Sequence, residues 1–209
     1  EKEVLTEILQ SDMENIRGTM ESLDKEAFSM AAELIQNAKK IYIVGIRSCE
    51  PLADFLGFYL NMLFDEVHVV RTNSASEIFE QLMRIGAGDV LIGISFPKYS
   101  MRTVKAMELA NCRSAGVISI TDSIHSPLNL YSSCNLIARS EMASVVDSLT
   151  APLSVINALI VALCLKNQDS LKQSIETLDQ LYDDYQIYGR DEMDPSGGEI
   201  EIFHQGSRV

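Results

Sequence analysis

Apolar residues in this chain follow a helical period first and a strand period only later. Val4, Ile8, Ile16, Met20 and Leu23 mark one face through residues 3–22, and Phe28, Ala31, Ala32 and Ile35 mark another between Asp24 and Lys39. Two amphipathic helices are therefore predicted ahead of the first strand, the second closed by Lys39 and Lys40, since cations favour a helix carboxyl end. From residue 41 the pattern changes. Apolar runs at 41–45, 67–71, 89–95, 115–121 and 134–139 alternate with helical patterns at 50–64, 75–85 and 100–113, and with a short helix near 126–131. Uninterrupted apolar runs belong to strands buried on both faces, the mark of a parallel sheet covered by helices.

The predicted fold class is α/β, a three-layer sandwich with a five-stranded parallel, flavodoxin-like sheet and extra helices at both ends. Strand order is not written in the sequence. Gly86-Ala87-Gly88-Asp89 ends a helix and turns into a strand, and Ser126-Pro127 supplies an N-cap with proline at the first helical position. Beyond the fifth strand, residues 146–166 form the most apolar helical pattern and 168–186 a more polar one. After Gly189 the chain reads as loose, although residues 199–203 alternate as an edge strand does. This divides the chain into a helical segment at 1–40, an α/β domain at 41–167, and a helix with a polar tail at 168–209. The chain opens on Glu1 with a helix already under way, a start that a cut through a longer protein, trimming or processing would each produce.

With 209 residues, 46% of them hydrophobic, the chain is long enough to bury a substantial core. Its formal net charge of -13 repels a phosphodiester backbone, so DNA or an anionic membrane is a poor partner for this segment itself. The cysteines Cys49, Cys112, Cys134 and Cys164 are too widely spaced for a zinc motif and read as reduced thiols of a cytoplasmic protein. Residues 151–165 are interrupted by Pro152, Ser154 and Asn157, and fall short of the ~20 residues needed to span a bilayer. No cofactor or metal is expected.

Chemistry concentrates where two strands run into hydroxyl-bearing loops that open helices. The first reads Gly45-Ile46-Arg47-Ser48, the second Ser95-Phe96-Pro97-Lys98-Tyr99-Ser100. In a parallel sheet such loops meet at the carboxyl edge, where ligands bind at a topological switch point. Helix amino termini there offer N–H groups to an anion, and the hydroxyls and cations suit a phosphate. Neither loop carries a dinucleotide or P-loop fingerprint. Ser48 and Ser100 each have a second reading as a plain helix N-cap, and Lys98 as an ordinary solvated side chain.

GIRSCEPLA at 45–53, SFPKYSMRT at 95–103 and ITDSIHSPL at 120–128 resemble the sugar isomerase (SIS) domain, in particular the effector domains of RpiR-type bacterial transcription regulators. The resemblance covers about residues 5–165. The family pattern is GxGxS after strand one and SxSGxT after strand three. Here Arg47 replaces the second glycine, and Pro97 and Lys98 replace the central Ser-Gly, a departure shared with one subgroup of these regulators. The resemblance implies a phosphorylated sugar ligand, with Arg47, Ser48, Ser95, Lys98, Ser100 and Thr103 as its phosphate contacts. Gly45, Glu77, Ser140 and Glu141 are candidate sugar contacts.

Glu77 reads two ways. A carboxylate near a sugar suits the general base of an aldose-ketose interconversion, but Ser74-Ala75-Ser76-Glu77 also matches a capping box. His125 near Asp122 is either a catalytic pair or a turn, while His68 and His204 read as core or solvent residues. The leading expectation is a sugar-phosphate-sensing domain, dimeric or larger, that reaches DNA only through a module outside this chain. A stand-alone phosphosugar isomerase using Glu77 or His125 is the alternative, and an inert dimerisation scaffold is the third. The expected dimer contact is the apolar helix at 146–165.

Overall fold

The apolar runs at 41–45 and 90–94 are buried along their whole length and pair with each other in parallel, Ile41 opposite Val90 and Gly45 opposite Ile94. Around them the computed structural model describes residues 2–71, 74–142 and 145–185. The order is α1 (Lys2–Ser22), α2 (Lys25–Gln36), β1 (Ile41–Gly45), α3 (Glu50–Leu60), β2 (Val67–Val69), α4 (Ala75–Gln81), β3 (Val90–Ile94), α5 (Met101–Cys112), β4 (Gly116–Thr121), β5 (Cys134–Ile137), α6 (Thr150–Lys166) and α7 (Gln168–Tyr185). All strand pairings are parallel and the sheet order is β2-β1-β3-β4-β5. This is the flavodoxin-like order, whose switch point falls between β1 and β3.

Successive strand residues point to opposite faces, and each face has its own core. Ile41, Ile43, Ile92 and Ile118 pack with Ile35 of α2, Leu56 of α3 and Ile156 and Leu159 of α6. Tyr42, Val44, Leu91 and Val117 pack with Ile78 of α4 and Met107 and Ala110 of α5. The three predicted layers are present. α6 is apolar nearly all round because it is a core element: Ala151, Val155, Ile156, Leu159, Ile160 and Leu163 are buried. Val161 and Leu165 are the large apolar residues it leaves exposed.

Several boundaries differ from the sequence reading. α2 stops at Gln36, where the Asn37 N–H donates to Glu33 O; Lys39 instead donates its N–H to Gly88 O, just ahead of the β1–β3 pairing. The short helix at 126–131 is a 3-10 turn, Pro127–Leu130, with Ser126 capping the Leu128 N–H. α6 begins at Thr150, and Val145 and Val146 before it are exposed. The alternating run at 199–203 and His204 lie outside the described residues. No single helix among the described residues is long and apolar enough to cross a membrane.

Candidate functional site

Because β1 and β3 are neighbours, the two loops that follow them face each other at the carboxyl edge of the sheet. Between them lies a cavity of about 250 Å³, lined by Ile46, Arg47, Ser48 and Cys49 from one loop and by Ser95, Phe96, Pro97, Lys98 and Ser100 from the other. Met142, Val145 and Asp147, from the segment between β5 and α6, complete the wall.

The backbone bends sharply in both loops. Arg47 has φ 61 and Lys98 has φ 66, and Ser114 is the other described non-glycine residue at positive φ. An L-residue in this left-handed region costs roughly 1–2 kcal/mol, and such strain persists where surrounding structure enforces it, commonly at functional sites. Both residues stand where the motif has glycine. The loops therefore keep the backbone path of the pattern and hang a cation on it. Gly45 cannot change in the same way: a Cβ there would lie 2.5 Å from Cys49 O, because the first loop folds directly back on the strand end.

Each hydroxyl has a defined state. Ser95 is buried, and its Oγ accepts the Ser100 N–H at 3.0 Å, closing the second loop around Lys98. Its carbonyl accepts from Thr121 Oγ1 at 2.8 Å, tying the loop to β4. The Ser95 O–H itself has no acceptor among the described residues, so it has a proton to offer a ligand. Ser100 is the N-cap of α5 and accepts the Thr103 N–H. Ser48, by contrast, is not a helix cap: it precedes the N-cap position of α3, which Cys49 fills without a side-chain bond, and its Oγ donates to Asp147 Oδ2 at 2.8 Å. Tyr99 braces the second loop by donating to Asp122 Oδ1 at 2.8 Å. Burial first, and then that carboxylate, push its phenol up to about 12, so it stays a donor.

The remaining sequence candidates scatter. Thr103 is 0% exposed, does not line the cavity, and its Oγ1 has no hydrogen-bond partner among the described residues. It lies within α5, one turn below the cavity's edge. Gly45 lines a neighbouring cavity instead. Glu77 is exposed on α4, its N–H held by Ser74 Oγ at 3.4 Å, as half of the capping box requires. Ser140 donates to Ser148 O at 2.8 Å, and the Glu141 N–H donates to Asn15 Oδ1 at 3.0 Å. Both pin the segment before α6 rather than lining the cavity. The His125 N–H donates to Ser123 Oγ in a turn, and His68 stacks on Tyr42 at 5.1 Å. No group of His, Cys, Asp and Glu among the described residues is arranged to hold a metal ion.

Among the cavity residues that escaped the sequence reading, Cys49 and Asp147 carry titratable groups. Counting GxGxS from Gly45 puts its serine on Cys49, a buried thiol whose titration burial pushes upward, so it lines the cavity as a neutral group. That signal was in the motif. Asp147 had none, since only the return of the chain past β5 brings it to the first loop.

The segment that carries Asp147 is also bonded to α1. Asn15 exchanges two hydrogen bonds with the Glu141 backbone at 3.0 and 3.1 Å, Ser148 donates to Asp12 at 2.6 Å, and the Arg139 N–H donates to Thr19 Oγ1 at 2.8 Å. The cavity wall and the first helix are thus one hydrogen-bonded unit.

Comparison with known proteins agrees with this geometry. The SIS domain family model matches residues 34–162. An uncharacterized HTH-type transcriptional regulator from Caldanaerobacter subterraneus is 27% identical over 186 residues, which cover 85% of this chain and 64% of that protein. The chain therefore spans just under two thirds of that relative's length. Among solved structures, the sugar isomerase domain of an RpiR transcription factor from Sphaerobacter thermophilus superposes with a TM-score of 0.80 at 24% identity, covering 84% of this chain and 97% of that one. The Vibrio vulnificus NanR protein complexed with ManNAc-6P superposes with a TM-score of 0.72 at 19% identity, covering 83% and 67%. With the motifs, the sheet order and the family match in agreement, the chain belongs to the SIS domain family.

Proposed function

We propose that this chain is the effector-binding domain of a transcription regulator and that it holds a sugar phosphate in the cavity between the β1 and β3 loops. One observation carries the reading. Arg47 and Lys98 are strained cations on opposite walls of one cavity, and neither forms an ion pair among the described residues. A phosphate would answer both charges, accept the Ser95 hydroxyl proton, and face the amino terminus of α5. NanR, whose structure is complexed with ManNAc-6P, and the regulator from Caldanaerobacter support the ligand class and the biological role.

Regulation needs a route from cavity to DNA. On this reading α1 is the connector: its bonds from Asp12, Asn15 and Thr19 reach the segment bearing Asp147, so a ligand that displaces Asp147 from Ser48 acts directly on α1. DNA is contacted by a module outside this chain, and the protein works in the cytoplasm as a homodimer. α1 supplies the dimer surface, since Val4, Leu5, Leu9, Met13 and Met20 are all well exposed along it. The isomerase alternative relied on Glu77 or His125, and neither lines the cavity.

A thermal-shift panel of sugar phosphates tests the reading. A ligand at about 100 times its dissociation constant adds ~2.7 kcal/mol of stability, and Lys98→Gln should cut that gain. A panel that leaves the melting temperature unchanged, or a gain that survives Lys98→Gln intact, rejects the site.

A further inference from the structure

Arg47 is shared between two cavities. On its other side lies a space of about 190 Å³ whose wall includes Glu50, Val70, Arg71 and Arg102. Three arginines thus line one space in a chain of formal net charge -13, each from a different place in the fold: the loop after β1, the segment just beyond β2 and the first turn of α5. Like charges brought together from separate elements repel one another unless a counter-charge offsets them. Part of that counter-charge is present. Asp54 accepts from Nε and Nη2 of Arg71 at 3.2 and 2.9 Å, and Glu50 lies on the wall. With Arg47 answered by the phosphate and Arg71 by Asp54, the remaining arginine, Arg102, is half-buried and forms no ion pair among the described residues.

We propose that this second cavity receives a carboxylate of the same ligand, so that the preferred ligand class is a phosphorylated sugar acid. The inference rests on the phosphate assignment of the larger cavity. Arg102, the cation of this wall without an ion pair among the described residues, matches one carboxylate, whereas a second phosphate, carrying close to two negative charges, would be left partly unneutralised. The planar fork of a guanidinium also fits a carboxylate in two parallel hydrogen bonds. Ile46 and Arg47 line both spaces, which makes one ligand with two acidic ends the simplest occupant.

Calorimetric titration of the 209-residue chain tests this with inorganic phosphate, the 6-phosphates of glucose, mannose and galactose, the three matching aldonate 6-phosphates, and glucose 1,6-bisphosphate. The expected result is an aldonate phosphate binding about ten-fold or more tightly than its parent aldose phosphate. Arg102→Gln should erase that advantage and Arg102→Lys should keep part of it, because the charge remains while the fork is lost. Equal affinities within every pair, an advantage that survives Arg102→Gln, or a preference for the bisphosphate each overturns the carboxylate inference. If inorganic phosphate binds but no sugar derivative does better, the carboxylate inference alone falls. If inorganic phosphate also fails to bind, the phosphate cavity falls with it.

Discussion

The Ser48 hydroxyl donates to the Asp147 carboxylate across 2.8 Å, joining the loop after β1 to the segment before α6. An acidic side chain thereby occupies a hydroxyl in a cavity whose other charged lining residues, Arg47 and Lys98, are both cations. An incoming phosphate must compete with it for Ser48 and bears its repulsion.

Asp147→Asn removes that repulsion while keeping a hydrogen-bonding shape. At partly solvated separations of a few ångströms one charge is worth about 1 kcal/mol, so inorganic phosphate should bind roughly five-fold more tightly by calorimetry. Weaker binding in the variant would show that Asp147 assists the anion rather than opposing it.

Lys98→Gly should separate stability from binding. Relief of the left-handed backbone at φ 66 gains roughly 1–2 kcal/mol, of which the added freedom of glycine in the unfolded chain takes back roughly 0.5–1. The net expectation is a variant about 0.5 kcal/mol more stable in urea unfolding, with phosphate affinity reduced. Lys98→Ala keeps the strain and loses only the cation, so it should weaken binding without the gain in stability.

Thr103→Val replaces a fully buried hydroxyl that has no hydrogen-bond partner among the described residues with a methyl of similar shape. Removing an unsatisfied polar atom should stabilise the fold by about 1 kcal/mol and leave phosphate affinity unchanged, as expected of a residue below the cavity's edge. Loss of phosphate binding would return Thr103 to the contact set that the motif implied.

The Cys134 thiol makes stability fall in alkali. Burial raises it from 9.0 to about 11, so between those values the folded state holds a proton that the unfolded state has lost. Stability supplied by the neutral thiol is therefore complete below about pH 9 and declines as pH rises through 11. Urea midpoints measured at pH 8 and pH 10.5 should fall less in Cys134→Ala than in the wild type.

How far the sequence was legible follows from which interactions are local. Uninterrupted apolar runs predicted both buried central strands, and the Ser126-Pro127 pair predicted its turn, because burial on two faces and capping are encoded within a few residues. The end of α2 was misread because Lys39 and Lys40 match a helix terminus locally, while tertiary bonding takes Lys39 to Gly88. In the site, the facing of the two loops was anticipated and depends on β1 lying beside β3. Ser48 looked like a cap because its partner, Asp147, stands 99 residues away. The left-handed turns at Arg47 and Lys98 were visible as cations replacing glycines, but the strain itself belongs to the folded backbone.

The central claim is that the β1 and β3 loops together hold a phosphate. Titrating inorganic phosphate into isotope-labelled protein and following backbone amide resonances tests it most directly. Saturable shifts are expected at residues 46–49, 96 and 98–101 on both walls of the cavity, attenuated in Lys98→Gln. Shifts confined to other regions, or none in these two loops at saturating phosphate, would contradict it.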